Sequence, residues 1–320
     1  MQRFLLKILG IIGPLLFFVI VYFSLHIFRN LRAGIPIDFI SKLKNSEIII
    51  CGDSRADRQL DPAIFHFKTK LNTLNMAKGV WDLYTLSKTL LESKVESKII
   101  VISASSWQFN DGAIDNGYFS LESFLGLSFL ERIKLYRHHP LNLFLIQNSL
   151  LKYSLFNNTS VQNLGPYQRN LNVDFNKQPC SEFKIDKNWF ENNPFYKTPN
   201  AYIYKRQLLL QALNNLQRLR NCKILIYNGP VSENFIEAAN SRIVGIEKQF
   251  DEFMTVECKK RKLVYHSFFD DKSIRKKEFY YDPQHLCEFG TTFFSEKVVN
   301  LLYSKGLLKH KRQNEVIKQN

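Results

Sequence analysis

Two short motifs at opposite ends of the sequence carry residue types that can perform nucleophilic catalysis. Gly52, Asp53 and Ser54 follow the apolar run IIIC, and Asp282 and His285 lie three residues apart near the end of the chain. A serine in the turn after a strand places its hydroxyl beside the free N–H groups of the next helix. An oxyanion formed on an attacked carbonyl would face these donors, so Ser54 is a candidate nucleophile.

The spacing of Asp282 and His285 fits a general base. Within one turn, the carboxylate can accept a hydrogen bond from one imidazole nitrogen while the other nitrogen faces outward. A histidine held in this way is the base that a serine hydroxyl needs. Each motif also has an ordinary interpretation, because Asp and Ser cap many helices and Asp-Pro-Gln-His occurs in exposed turns. Their occurrence together, after the first strand and before the last helix, favours catalysis.

Five apolar runs predict the strands that must position these residues. The runs are residues 48–51, 71–75, 99–102, 223–227 and 263–266. Longer helix-like segments alternate with them, which predicts a parallel sheet covered by helices on both faces. Ligands on such sheets bind beyond the carboxyl ends of the strands, and Ser54 follows the first of these ends.

The alternation fails between about residues 111 and 198, a stretch rich in Phe, Asn and Leu. A structureless loop of this length is uncommon in a compact domain, so we predict a partly helical insertion that caps the site. The chain then divides into an N-terminal membrane anchor (1–30), a linker (31–45), an α/β domain (46–310) and a basic tail (311–320).

The anchor is predicted from residues 8–28, which contain no Asp, Glu, Lys or Arg. A helix of this length spans about 32 Å, against about 30 Å for a bilayer core. No A-x-A-like site follows, which favours a retained anchor over a signal peptide, and core helices rarely show so long an apolar run. The basic flanks are balanced, but the N-terminal amine favours a single-pass cell-membrane protein with its catalytic domain outside the cytoplasm.

The residues around the two motifs resemble the SGNH (GDSL) hydrolase superfamily. The resemblance rests on Gly52-Asp53-Ser54-Arg55, on Gly79, and on Asp282-Pro283-Gln284-His285-Leu286 with Gly290. It covers residues 46–304 apart from the insertion and is nearest to membrane-anchored bacterial members that act in cell-surface polysaccharide acylation. It implies a flavodoxin-like three-layer sandwich with a central parallel sheet.

The resemblance also implies a function. We expect a serine esterase or O-acyltransferase that acts on an envelope polysaccharide or related glycan through an acyl-serine intermediate. Ser54 would be the nucleophile, His285 the base and Asp282 its orienting acid. The oxyanion would be bound by the N–H groups of Ser54 and Gly79 and by an asparagine side chain after the third strand.

This sequence departs from the family after the third strand, where SASSWQFND replaces the expected Gly-x-Asn-Asp. Asn110 in this stretch is the first candidate for the missing oxyanion donor, and Asn228 after the fourth strand is the alternative. Losing one such donor costs about a hundredfold or more in rate. The departure therefore supports a second hypothesis, a catalytically weak or inactive SGNH-fold protein that binds surface glycan or helps to assemble it.

Basic and aromatic residues beside the catalytic turns are candidates for substrate binding. Arg55 and Lys78 would bind an anionic group of the substrate, or remain solvated at the domain edge. Trp107, and with it Trp81, would stack on a sugar ring or pack beneath the insertion.

We expect no metal and no cofactor. The five cysteines show no Cys-x-x-Cys spacing, and His138-His139 has no cysteine or carboxylate at ligand spacing. Cys51 and Cys222 are expected to be buried free thiols, and Cys287 to be structural. The expected partners are the membrane, a glycan or acylated polymer and, for a transferase, a membrane-bound protein that donates the acyl group.

The sequence has 44 Lys and Arg residues against 29 Asp and Glu residues, a formal net charge of +15. Part of the excess flanks the predicted anchor or lies in the tail. The rest does not gather in one arm or helix, which argues against a nucleic-acid partner. Anionic lipid headgroups or an acidic polymer are its natural counter-charges.

Overall fold

One all-parallel sheet forms the centre of the protein. The computed structural model describes residues 42–77, 82–109, 203–239 and 241–309, with residues 128, 130, 179–180, 183, 185 and 190. The strands are β1 Ile48–Gly52, β2 Thr73–Asn75, β3 Ile99–Ser103, β4 Lys223–Asn228 and β5 Val264–Ser267, in the order β2-β1-β3-β4-β5. All pairs are parallel, so the chain has the predicted α/β class and the five predicted strands are confirmed.

Helices follow most of the strands. They are α1 Ser54–Gln59, α2 Pro62–Thr69, α3 Leu83–Glu92, α4 Ile203–Gln217, α5 Glu233–Ala238, α6 Ser241–Lys260 and α7 Glu288–Ser304. Polar side chains begin four of them, because Asp53, Asp61, Asp82 and Ser232 each accept a hydrogen bond from a backbone N–H in the first turn. Such caps satisfy donors that have no partner within the helix.

The sheet is buried on both faces. Ile49 and Cys51 of β1 pack with α3, α4 and α6, whereas Ile48 and Ile50 pack with α1, α2 and α7. Alternate side chains of one strand point to opposite faces, so a continuous apolar run is what a sheet covered on both sides requires. Each buried isoleucine contributes about 1.5–3 kcal/mol of transfer free energy.

The strand order places a topological switch point, where sheets of this kind bind their ligands, at the carboxyl ends of β1 and β3. The chain leaves β1 toward β2 on one side and returns to β3 on the other, so the connections diverge at this point. Gly52 makes the turn possible, since its φ is +128° and a Cβ there would lie 2.4 Å from the Ser103 carbonyl oxygen. Only glycine fits this conformation beside β3.

Only a few residues of the predicted insertion are among the described residues. Cys180 forms a disulfide with Cys287, and Phe190 packs edge-on against Phe235 with ring centroids 5.0 Å apart. These contacts attach the insertion to the domain at two places. The predicted anchor, residues 8–28, lies outside the described residues, and none of the described helices has the length and apolar character needed to cross a membrane.

Candidate active site

The three predicted catalytic residues form one hydrogen-bonded chain at the carboxyl edge of the sheet. His285 Nε2 lies 2.9 Å from Ser54 Oγ, and His285 Nδ1 lies 2.7 Å from Asp282 Oδ2. Because the carboxylate only accepts, Nδ1 carries the proton and Nε2 is left to accept from the serine hydroxyl. The folded chain thus joins residues 231 positions apart in the geometry of a nucleophile, a base and an orienting acid.

The turn that carries His285 is shaped by the same carboxylate that orients the imidazole. Asp282 Oδ1 accepts the backbone N–H groups of Gln284 and His285, each at 2.8 Å. The Gln284 carbonyl in turn accepts a hydrogen bond of 2.7 Å from Gln59 Nε2, which ties the turn to α1. One oxygen of Asp282 therefore folds the turn and the other holds the histidine.

Hydrogen bonds also lower the pKa of Asp282. Burial opposes ionisation, but the hydrogen bonds from the His285 ring and from the backbone N–H groups of Gln284 and His285 outweigh it and hold the pKa of the carboxyl below its usual value. Asp282 is therefore ionised at neutral pH, where it can stabilise the imidazolium formed when His285 takes a proton.

The two ends of the histidine turn are held together by backbone contacts and by the disulfide. The Cys287 N–H donates to the Phe279 carbonyl at 2.9 Å, and Tyr280 pairs with Leu286 in an isolated antiparallel bridge. Gly290 lets α7 approach the start of the turn, because a Cβ there would lie 2.1 Å from the Phe279 carbonyl oxygen. Cys287, expected to be structural, covalently links the turn to the insertion.

Asp53 fixes the nucleophile turn to the end of β3. Its Oδ1 accepts from the Arg55 N–H at 3.1 Å and from Ser103 Oγ at 3.0 Å. Its Oδ2 accepts from Ser105 Oγ and from Trp107 Nε1, the latter at 3.0 Å. Asp53 is 1% exposed, so these four donors replace the water that its carboxyl oxygens would otherwise require.

The structure does not support the prediction that Arg55 binds substrate. Arg55 is 4% exposed, and its Nη1 donates to Asn228 Oδ1 at 2.9 Å and to the Gly229 carbonyl at 3.3 Å. Its Nη2 lies 3.9 Å from Glu247 Oε1. The guanidinium therefore ties α1 to β4 and α6 inside the domain, and it is neither at a substrate surface nor solvated.

The same network removes Asn228 from the candidates for an oxyanion donor. Its Oδ1 accepts from Arg55, and its Nδ2 donates to Glu247 at 3.2 Å and to Asp251 at 3.1 Å. Arginine only donates, so the orientation of the amide is fixed. Both amide hydrogens of this fully buried side chain are already used inside the domain.

Glu247 is a buried acid that the sequence did not single out. Its Oε1 accepts from Ser106 Oγ at 2.6 Å. Complete burial raises the pKa of Glu247, against the opposing effects of the Arg55 guanidinium and the Ser106 hydroxyl. The only sequence signal is its place three residues before the core residue Phe250 of α6, a position that many solvated glutamates share.

Trp107 packs in the domain rather than presenting its ring to a sugar. It is buried, its Nε1 is bonded to Asp53, and Lys205 Nζ lies 5.2 Å from its ring centroid. These contacts agree with the second role predicted for Trp107, packing within the protein, and not with stacking on a sugar ring.

Of the predicted oxyanion donors Ser54, Gly79 and Asn110, the described residues include Ser54 alone, and its backbone N–H is free to take that role. It lies in the first turn of α1, where N–H groups have no acceptor within the helix. Gly79, Asn110 and Lys78, the remaining predicted site residues, lie outside the described residues, as does Trp81. Within the described ranges, no group of three or more His, Cys, Asp or Glu side chains is placed to hold a metal ion.

No protein-family model matches the chain. No curated protein matches it either. The geometry of Ser54, His285 and Asp282 therefore carries the functional conclusion.

Proposed function

We propose that the protein is a membrane-anchored SGNH-type serine esterase or O-acyltransferase that acts on an envelope polysaccharide or related glycan. The observation that carries this proposal is the continuous hydrogen-bonded chain from Ser54 Oγ through His285 to Asp282. A serine hydroxyl is a weak nucleophile, and an adjacent base held by a carboxylate is the arrangement that activates it.

In the first half of the reaction, Ser54 Oγ attacks the carbonyl carbon of an ester while its proton moves to His285 Nε2. The tetrahedral oxyanion is bound by the Ser54 N–H and by donors from neighbouring loops. The intermediate collapses as the leaving oxygen takes the proton from His285, which releases the alcohol and leaves the acyl group on Ser54.

In the second half, a hydroxyl replaces the alcohol that has left. Water or a sugar hydroxyl gives its proton to His285 Nε2 and attacks the acyl carbonyl. The Ser54 oxygen then leaves and recovers that proton. Water makes the protein an esterase, and a sugar hydroxyl makes it an acyltransferase whose acyl donor is an ester, supplied in the cell by a membrane-bound partner.

Two further features agree with this proposal. The strand order β2-β1-β3-β4-β5 is that of flavodoxin-like sheets, the fold that the SGNH resemblance implies, and Ser54 lies at the point where the connections diverge. The disulfide between Cys180 and Cys287 is typical of oxidising compartments, which agrees with a catalytic domain outside the cytoplasm.

The test is covalent labelling of the full chain with a fluorophosphonate, together with hydrolysis of p-nitrophenyl acetate. We expect the wild-type protein to be labelled and to release p-nitrophenol, and the Ser54→Ala variant to lose both activities. Ser273→Ala is the matched control, because this exposed serine bonds to Asp271 away from the triad. Equal behaviour of wild type and Ser54→Ala in both assays would contradict the catalytic proposal.

The second candidate is a catalytically weak or inactive SGNH-fold protein that binds surface glycan. The observation that favours it is the commitment of both Asn228 amide hydrogens inside the domain, which removes one candidate oxyanion donor. This candidate predicts weak or no labelling of wild type and glycan binding that Ser54→Ala leaves unchanged.

A further inference from the structure

Positive charge is concentrated at one edge of the sheet. The segments at the amino ends of the strands are residues 42–47, 70–72, 93–98, 218–222 and 261–263, and residues 305–309 after α7 reach the same edge. Together they contain eleven Lys and Arg residues and two Glu residues. These six segments are here called the basic edge.

In the part of the chain that the structure describes, the opposite, catalytic edge carries no such excess. The described segments that follow the strands are residue 53 and residues 76–77, 104–105, 229–232 and 268–287. They contain four Lys and Arg residues against five Asp and Glu residues. Among the described segments that flank the strands, positive charge is therefore concentrated at the amino ends and not at the carboxyl ends.

A cavity of about 380 Å³ opens at the basic edge. Its described lining includes Lys68, Lys70, Lys223 and Lys309, with no Asp or Glu among the described lining residues. Lys68 pairs with the nearby Glu296 at 2.8 Å, and Lys223 donates to the Leu307 carbonyl at 2.9 Å. Even with Glu296 counted, the mouth of the cavity has an excess of positive charge, which suits a phosphate-bearing anion.

The walls between these lysines are apolar. Leu71, Ile99, Leu307 and Leu308 contribute to the lining. Beside the cavity, the Phe67 side chain is 66% exposed, with Lys70 Nζ 4.8 Å from its ring centroid. Lysines interleaved with an exposed aromatic ring and an apolar floor fit the interface of a bilayer, where headgroup phosphates lie next to hydrocarbon.

The chain enters the domain at this same edge. The linker leads to residue 42 and then into the amino end of β1, so the predicted anchor lies upstream of the basic edge. We propose that the basic edge binds the phosphate headgroups of anionic phospholipids in the membrane that holds the anchor. The catalytic edge then faces away from the bilayer, displaced by the length of the strands, roughly 17 Å for the five residues of β1.

This proposal is independent of the serine chemistry. Each basic side chain near an anionic surface strengthens binding about fivefold, and the attraction is screened by salt. Lipid binding by the basic edge should therefore depend on the lipid charge and on ionic strength, and it should be the same in wild type and Ser54→Ala. A failure of the catalytic proposal thus leaves this one standing, and the reverse also holds.

The experiment uses the full chain with nanodiscs of phosphatidylcholine alone or with 30% phosphatidylglycerol. Amide hydrogen exchange is followed by mass spectrometry in peptides covering residues 68–72 and 305–309, with residues 277–287 of the catalytic edge as reference. We expect exchange in the first two peptides to slow at least threefold with phosphatidylglycerol only, and this protection to disappear in 0.5 M NaCl.

Two charge-reversal variants make the test specific. Lys70→Glu/Lys309→Glu changes two exposed lysines of the basic edge, and Lys272→Glu/Lys276→Glu makes the same charge change at the catalytic edge. We expect the first variant to lose the protection and the second to keep it. The proposal is overturned if the protein associates with neither kind of nanodisc, or if the exchange rates are the same with both kinds. It is also overturned if both variants lose the protection equally, or if 10 mM inorganic phosphate gives the same protection without phosphatidylglycerol.

Discussion

The two turns that meet in the triad are held in different ways. The nucleophile turn is buried, since Asp53 is 1% exposed and bonds to four donors around the end of β3. The histidine turn lies at the surface, with the side chains of Asp282 and His285 35% and 22% exposed. It is closed by backbone hydrogen bonds and by a disulfide rather than by a buried network.

This difference separates stability from catalysis. Removing an acceptor from the buried turn leaves donors without partners in a water-free environment, which is costly for folding. The histidine turn is partly exposed and can exchange lost hydrogen bonds for water, so changes there should act mainly on the orientation of the imidazole. Apart from Ser54 itself, substitutions in the nucleophile turn should therefore lower the free energy of unfolding more than kcat. Substitutions in the histidine turn should lower kcat more than the free energy of unfolding.

The largest effect is expected from Asp282→Asn. The amide cannot hold His285 in the tautomer that accepts the serine proton, so kcat should fall about 10³–10⁴-fold. Because the side chain is partly exposed, the free energy of unfolding at pH 7 should change by less than about 1 kcal/mol. Ester hydrolysis and urea denaturation measure the two quantities.

Asp270→Asn is the control for this substitution. Asp270 lies in the same segment and is 75% exposed, with an ion pair to Arg275 at 2.9 Å. It should leave both rate and stability near the wild-type values. We expect changes in the histidine turn to affect catalysis more than stability. This expectation is contradicted if Asp282→Asn loses more free energy of unfolding than transition-state stabilisation.

The next effect tests the covalent support of the histidine turn. The disulfide between Cys180 and Cys287 closes a separation of 107 residues, so replacing both cysteines with serine should lower the free energy of unfolding by about 4 kcal/mol. Hydrogen exchange should rise more in residues 279–287, which can also open locally, than in residues 52–59. Cys222→Ser, at a free and partly exposed cysteine, is the control and should change neither region.

A smaller loss of stability is expected from Asp53→Asn. The amide keeps one acceptor oxygen, so at least one of the four donors around Asp53 loses its partner, at a cost of about 2–3 kcal/mol in unfolding free energy. Asp61→Asn serves as the matched control, because asparagine is as good a helix cap as aspartate and its side-chain oxygen can still accept from the Ala63 N–H. Urea denaturation measures the free energy of unfolding of both variants. Equal losses in Asp53→Asn and Asp61→Asn would contradict the special role of Asp53 in the stability of the nucleophile turn.

Much of this arrangement could be predicted from the sequence because it is local. The five strands are short apolar runs, and the triad residues stand in turns whose types and spacing suit their chemistry. The distance between Ser54 and His285 then follows from the parallel sheet, which brings the carboxyl end of β1 and the start of α7 to one edge.

The contacts that support the triad could not be predicted in the same way. Arg55 meets Asn228 across 173 residues, and nothing in the spacing of an arginine and an asparagine indicates that they are partners. Cys180 and Cys287 were two of five cysteines with no informative spacing. The basic edge likewise emerges only when six separate segments are brought together by the fold.

The smallest effect is the pH dependence that Asp282 contributes to stability. Its pKa is lowered in the folded protein, so its stabilising contribution is present above the pKa of the unfolded chain, about 3.9, and is lost as the pH falls through the folded value. The stability difference between wild type and Asp282→Asn should therefore shrink between pH 7 and pH 3. The change should stay below about 1 kcal/mol, because water screens a side chain that is 35% exposed. Urea denaturation of both proteins at the two pH values measures it, and a difference that grows toward pH 3 would contradict the hydrogen bonding described for this turn.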